Sequence, residues 1–583
     1  MKPIKSIKIL AYALLITTIA ACSPAPDETD TPAIEESPTA DRILIGGKVI
    51  SVDPDIGQAE AVAIHNDRIL AVGTTTEIQA LAGENTEIIE LDGRTVIPGF
   101  IEGHGHLLGL GNARMILDLQ PTTSFEQIVD RVAAAVAEAE PGTWILGRGW
   151  HQERWDPAPE VAYDGVPTHH ALSEVSPDNP VLLTHASGHA SFANAAALAL
   201  AGIDADSEDP DGGTIVRDVR GQPTGFLRQA AQLAVRRAHS EAEQAMSAEE
   251  RQAVFERQVE LAGAEALRHG VTSFHDQGSS FAEIDRFKEL AEQGRLPVRL
   301  HVAVRGESNE DMDRKLPDFR VIGHADHFLT VRAIKRQIDG ALGTHGAWLL
   351  EPYSDKPDTS GLPQTPLEKL RETAEIALRH GFQLNTHAIG DRGNRETLDL
   401  YEELFAEHGE NDLRWRIEHA QNLHPDEVPR FAEMGVIASM QGIHATSDGP
   451  WVPQRLGMER ARERAYVWRS LLDAGATICN GTDVPVEPIS PIASFHASVT
   501  RLMAHGERFF PEQSMGRMEA LRSYTIDCAR AVFEEDLLGS ITPGKLADLA
   551  VLDRNILTVD ENELADTRVD LTLLGGQVVY VRD

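Results

Sequence analysis

The sequence predicts an α/β fold: a (β/α)8 barrel of the TIM type, with a large insertion after its first strand and a small β-sandwich built from both chain ends. Three observations predict it. A helix–glycine–strand unit recurs through the middle of the chain. The strands of that unit are near-continuous apolar runs, the pattern of a parallel sheet covered on both faces. Short alternating strands appear at both ends.

Taken in order, the N-terminus is an address. Lys2, Lys5 and Lys8 lead into an apolar run from Ile9 to Ala21, which ends Ile19-Ala20-Ala21-Cys22. The run is short for a bilayer span and reads as a signal peptide over residues 1–21. Its end is similar to the lipobox of bacterial lipoproteins. That likeness implies cleavage before Cys22 and a lipid on its sulfur; ordinary signal cleavage is the alternative. Ser23 in place of Asp resembles outer-membrane sorting, so the expected location is the cell envelope, anchored in the outer membrane and facing the periplasm. Residues 22–40, rich in Pro, Thr and acids, read as a disordered tether.

Residues 41–97 hold short strands such as Arg42–Ile45 and Lys48–Val52. Residues 541–583 return to that style, and the two stretches together form the expected sandwich. Between them, Ala266-Leu267-Arg268-His269-Gly270 precedes one strand, and the same five letters recur at 377–381 before another. Each is a helix end with glycine as its left-handed cap. Leu367, Leu370, Ala374, Ala377 and Leu378 share one face of the helix before the second. Eight strands are expected: Thr95–His104, Val271–Asp276, Val298–Arg305, Ala333–Ile338, Phe382–His387, Trp415–Glu418, Val436–Met440 and Thr477–Asn480. They give a barrel over 98–540, with an insertion over about 107–250. A doubly wound sheet competes, but no Gly-rich phosphate loop opens the first helix.

Composition excludes several classes. Asp plus Glu number 91 against 53 Lys plus Arg, a net charge of −38, so a phosphate backbone would be repelled and nucleic acid is not a partner. Three cysteines are too few for a disulfide framework, and Cys22, Cys479 and Cys528 lie too far apart for a metal ribbon. Cys479, inside a strand, reads as core. No Gly-x-Ser-x-Gly elbow is present.

The chemistry sits at strand ends. His104 and His106, two apart on a strand, point the same way. His387 and His419 close two later strands, and Asp483 follows the last in Asn480-Gly481-Thr482-Asp483. In a barrel these ends converge on one mouth. Four imidazoles and a carboxylate suit a borderline-soft divalent metal such as zinc.

The set resembles the amidohydrolase superfamily, and more closely amidohydrolase family 3, the branch containing N-substituted formamide deformylase. The likeness runs over about residues 42–583. It includes Val96-Ile97-Pro98-Gly99-Phe100, Gly147-Arg148-Gly149-Trp150, Ser187-Gly188-His189, Asn194, Gly212-Gly213-Thr214-Ile215 and Pro543-Gly544-Lys545. It implies a further ligand, Lys335, carboxylated by CO2 and bridging two zinc ions. His104, His106, Lys335 and Asp483 would hold one ion, and Lys335, His387 and His419 the other. It implies hydrolysis of an amide, N-formyl or N-acyl C–N bond of a small molecule by a metal-bound hydroxide, with Asp483 as the catalytic proton carrier. A deaminase or N-acyl amino-acid deacylase of the same superfamily is the alternative; a noncatalytic ligand-binding lipoprotein is the rival from another class. The membrane is a partner only through the N-terminal lipid, and an oligomer is left open.

Two residues depart from the family pattern. Glu102 stands where many relatives have Asp, and His151 follows Trp150 where Asp is frequent. His151, His189 and His444 are candidate substrate contacts, though His189 and Asn194 serve equally well to hold the insertion together. His275 faces the mouth or packs beneath it. Asp391 reads as a cap or supporting partner, and His169, His170, His345 and His380 as surface or packing residues.

Overall fold

The computed structural model describes residues 39–583 except 187, 410 and 411. The signal peptide, Cys22 and nearly all of the tether lie outside the described residues. Ala40, expected as the last tether residue, is buried and opens the strand Ala40–Ile45.

Eight parallel strands form the centre in chain order: Phe100–Gly105, Val271–Ser279, Arg299–Val304, Leu329–Gln337, Gln383–Ala388, Arg416–His419, Ile437–Gln441 and Ile478–Gly481. They are called barrel strands one to eight below. The barrel is nearly closed. At the mouth, Asp483 N donates to His104 O (2.7 Å) and His106 N to Val484 O (2.8 Å), which ties strand one to the segment after strand eight. The close approach needs glycine at 103, where a Cβ would stand 2.4 Å from Asn480 O and 2.5 Å from Cys479 Sγ.

The expected helix–glycine–strand units are present. Gly381 (φ 71°) caps the helix Leu367–His380, whose Leu370, Ala374 and Ala377 are buried. Gly435 (φ 67°) caps Val428–Met434 in the same way. A left-handed residue turns the chain directly into the next strand, with little loop between.

Two expectations need correction. Thr95–His104 is not one strand. Thr95–Pro98 pairs in a separate six-stranded sheet and Phe100–Gly105 in the barrel. Gly99 makes the crossing, and a side chain there would strike Thr272 Oγ1 at 2.2 Å. Cys479 is buried as expected, but it is disulfide-bonded to Cys528. The helix Ile526–Ala531 packs against strand eight and brings the two thiols together across 49 residues, a distance over which sequence spacing carries no pairing signal.

The six-stranded sheet runs Gln577–Val581, Val569–Leu574, Leu549–Leu552, Thr95–Pro98, Lys48–Ile50, Gln58–Ala59 and so mixes both ends of the chain. A four-stranded sheet of Arg68–Gly73, Ala61–His65, Ala40–Ile45 and Ala82–Glu90 shares an apolar cluster with it, in which Leu44 and Val62 meet Val96, Leu549 and Leu573. Between barrel strands one and two lies another six-stranded sheet, from Leu117–Asp118 to Pro223–Gln229. Its own core includes Phe125, Trp150, Trp155, Phe192 and Phe226. Among the described residues no helix is long and apolar enough to cross a membrane.

Candidate metal centre

All six predicted ligands meet at the barrel mouth. His104, His106, Lys335, His387, His419 and Asp483 line one cavity of about 380 Å³. One ligand atom each from His104, His106 and Asp483 lies within 4.8 Å of the others. Asp483 Oδ1 is 3.3 Å from His106 Nε2 and 3.5 Å from His104 Nε2. The His419 ring centre lies 4.8 Å from that of His104 and 4.4 Å from that of His387.

Two of these ligands sit on unusual backbone. His419 (φ 74°) and Asp483 (φ 58°) are left-handed, a conformation that costs energy in residues with a Cβ and collects at functional sites. At His419 it breaks the alternation of strand six, so that His419 reaches the mouth together with its sequence neighbour Glu418.

Glu418 is the residue whose role sequence reasoning missed. It is fully buried, and its Oε2 makes a short contact with His104 Nδ1. Burial would raise its pKa, but Arg416 first, then Lys335, hold it below the usual carboxylate range. Arg416 Nε stands 2.7 Å from Glu418 Oε1, and Arg416 also donates to Gly103 O and Ser439 Oγ, each at 2.6 Å. An ionised Glu418 only accepts, so His104 Nδ1 is the donor and its Nε2 presents a lone pair to Asp483 Oδ1. His419 is fixed alike, with Nδ1 2.7 Å from Gln441 Oε1, which leaves Nε2 for the cavity. Such outer partners set the tautomer and aim of metal-binding histidines. The only local sign was that Arg416 and Glu418 lie two apart on one strand.

The electrostatics favour neutral ligands. Burial first, then Lys335, pushes His104 well below its usual range. His387 is pushed down by burial, then by His419 and Lys335. His419 falls to about 4, again chiefly by burial. Lys335 is lowered to about 8 by burial. Its Nζ is buried without a hydrogen-bond partner, as is His387 Nε2. A His104 lone pair facing a carboxylate oxygen, beside an orphaned amine and an orphaned His387 nitrogen, is a poor arrangement for an empty interior. A divalent cation satisfies them, so the residues present fit a metal.

Glu102, the first departure from the family pattern, ties strand one to the loop of Asp483. Its oxygens accept from Thr482 N (2.7 Å) and Thr482 Oγ1 (2.9 Å), and burial raises its pKa to about 8. His444 lines the cavity with its ring parallel to His419, 6.3 Å between centres. His275 lies beneath the mouth, 3.2 Å from Arg416. His151 and His189 are placed with the separate sheet and not on the cavity wall. The His151 ring packs 4.6 Å from His185, and His189 precedes the strand Ala190–Ala193. Asn194 caps a helix and bonds Ser176 and Asn179, which holds that sheet together. Asp391 accepts from Leu350 N (2.9 Å) and Arg464 (2.8 Å), a structural role.

A family model described as the amidohydrolase family matches residues 87–580. The chain belongs to the amidohydrolase family. This amidohydrolase is 33% identical to the protein LONG AFTER FAR-RED 3 of Arabidopsis thaliana, over 93% of the chain and 92% of the relative. It is 29% identical to the N-substituted formamide deformylase of Arthrobacter pascens, over 93% and 98%. Among solved structures it is similar to an uncharacterized metal-dependent hydrolase from Pyrococcus furiosus, with a TM-score of 0.68, 29% identity and coverage of 89% of this chain and 100% of the other. Family and fold together make this amidohydrolase a metal-dependent hydrolase.

Proposed function

We propose that the chain hydrolyses a C–N bond of a small molecule, an amide or an N-formyl or N-acyl group. The observation that carries this reading is the convergence of His104 Nε2, His106 Nε2 and Asp483 Oδ1 on the wall of an open cavity. His104, His106, Lys335 and Asp483 would hold one zinc ion, and Lys335, His387 and His419 a second. With ions bound there, a water acidified toward neutral pH and a polarised scissile carbonyl would be available.

The chain's own residues do the rest. Asp483 lines the cavity with its backbone pinned to His104 O, and its carboxylate would take a proton from the attacking water and hand it to the departing nitrogen. Glu418 and Gln441 hold two imidazoles as lone-pair donors. His444 offers a ring nitrogen toward the substrate. Lys335 is suited to carboxylation, because only a neutral amine adds CO2, losing a proton as the carbamate forms. With a pKa near 8, roughly a tenth of the amine is neutral at pH 7, against under a thousandth for an ordinary lysine.

The remaining proposals rest on sequence: a lipid on Cys22, an outer-membrane location facing the periplasm, a terminal sandwich of residues 41–97 with 541–583, and an insertion over about 107–250. The chemical reading is tested by assaying zinc-loaded protein, purified with bicarbonate, on N-substituted formamides, N-acyl amides and matched esters. Cleavage of the amides, abolished by chelator and restored by metal, is expected. Ester cleavage with no amide turnover would overturn it.

A further inference from the structure

The cavity has a charge pattern of its own, and we infer from it that the substrate is an amide bearing a carboxylate, received by Arg305. The inference rests on the C–N hydrolysis proposed above and specifies what the same site admits.

Arg305 directly follows barrel strand three. In the ladder to strand four, Ala303 is paired with Ala333 and Val304 with Ile334, so one further step sets Arg305 beside Lys335. Neighbours in register on parallel strands point to the same face, and the strands stand roughly 4.8 Å apart. Arg305 accordingly lines the metal cavity, and its charge is felt by both Lys335 and His387. Its backbone N–H is bonded to Ser279 O, which fixes where the side chain starts.

The guanidinium has no ion-pair partner among the described residues. This is notable in a chain of 91 acidic against 53 basic residues. Three other arginines of barrel strands three, four and six are occupied. Arg299 holds Asp548, Arg416 holds Glu418, and Arg336 bonds Asn309 and the backbone of Glu307. Arg305, exposed at the mouth, lines the cavity without an ion pair among the described residues, and a guanidinium fork can grip a carboxylate through two parallel hydrogen bonds.

The opposite wall fixes the direction. In a ring of eight strands, strand three faces strand seven. Asp448, past strand seven, and Glu487, past strand eight, line the cavity there. Tyr466 Oη donates to Asp448 Oδ2 at 2.6 Å and holds that carboxyl in place. A substrate carboxylate is repelled from that side and drawn to Arg305. The amide then lies between, over the six candidate ligands. Water adds its oxygen to the carbonyl carbon, the C–N bond breaks, and the nitrogen leaves with a proton. The products are the acid of the acyl group and an amine that still carries the carboxylate. A cavity of about 380 Å³ suits a molecule the size of an N-acylated amino acid.

The test compares matched pairs on the zinc-loaded full chain: an N-formyl or N-acetyl amino acid against the same compound with its carboxylate converted to a carboxamide. Wild type should favour the carboxylate in kcat/KM by roughly tenfold to a hundredfold. In Arg305→Gln the ratio should fall toward one, chiefly through KM, with metal content unchanged. Arg305→Lys should keep part of the preference. No preference in wild type, or an unchanged ratio in Arg305→Gln, overturns the inference. Cleavage of neither partner is instead a failure of the hydrolytic reading. In that case calorimetric binding of the same two compounds decides Arg305: carboxylate binding lost in Arg305→Gln supports the inference, and equal binding by both proteins rejects it.

Discussion

Two layers of histidine inside the barrel differ only in what faces them. In the upper layer His104 and His419 are 1% and 6% exposed; in the layer beneath, His275 and His301 are 0% and 2% exposed. Burial lowers the pKa of all four. The lower pair faces the Arg416 guanidinium, whose charge is felt by both rings, while Nε2 of each stays buried without a partner. Arg416 stands 3.2 Å from His275 Nδ1, and a guanidinium can only donate, so that nitrogen is satisfied as an acceptor. In the upper set the Nε2 lone pair of His104 faces the Asp483 carboxylate. Buried imidazole alone therefore does not make a metal site. A carboxylate at the cavity, with outer partners that fix the tautomers of His104 and His419, is the arrangement that fits one.

The sharpest way to break this comparison is Asp483→Asn. Its histidine neighbours remain, so at least one metal should stay, but an amide cannot accept a proton. Turnover should fall by ~100-fold or more with a smaller change in KM. Metal content and kinetics on one sample check this. Turnover within a few-fold of wild type would move the proton carrier elsewhere, with His444 the next candidate.

Glu418→Gln should cost less. It weakens the hold on His104 Nδ1 and leaves Arg416 without its carboxylate. Metal affinity, read by competition with a chelator, should drop by roughly 10–100-fold. An unchanged affinity would reduce Glu418 to a partner of Arg416 alone.

How much of this could be read from the letters depends on the range of the cause. His104 and His106 were legible because a strand repeats every two residues, and Gly381 and Gly435 because a helix stop is local. Lys335 was not. A lysine on a strand has no local mark, and only the family resemblance pointed to it. Glu418 was in plain view beside His419, but regular alternation puts neighbours on opposite faces, and the left-handed φ at His419 is invisible in sequence. The break at Gly99 and the Cys479–Cys528 bond depend on partners far along the chain. The same holds for Arg305, whose place opposite Asp448 exists only once the ring of strands is assembled.

A smaller effect comes from pH. Lys335 is lowered to about 8, so its neutral fraction rises about tenfold per unit below that value and flattens above it. At fixed dissolved CO2, the rate of zinc reconstitution of stripped protein should follow the same curve between roughly pH 6.5 and 9. A rate that is flat across pH 7 to 8, or that falls, would argue against a neutral Lys335 as the species that reacts.

The smallest effect is expected beneath the mouth. His275→Asn should leave metal content unchanged and turnover within a few-fold, with a loss of about 1–3 kcal/mol in unfolding free energy for disturbing a buried hydrogen bond. Loss of metal would show that the lower layer is not merely packing and would erase the distinction drawn above.

The central claim is that these side chains are arranged around divalent metal. Elemental analysis of the protein purified with zinc and bicarbonate but without chelator, alongside a His104→Asn/His106→Asn double variant, tests it most directly. The account predicts about two ions per chain in wild type and one or none in the variant, with hydrolysis lost in parallel. Wild-type protein free of metal yet fully active, or a double variant with its metal complement intact, would contradict it.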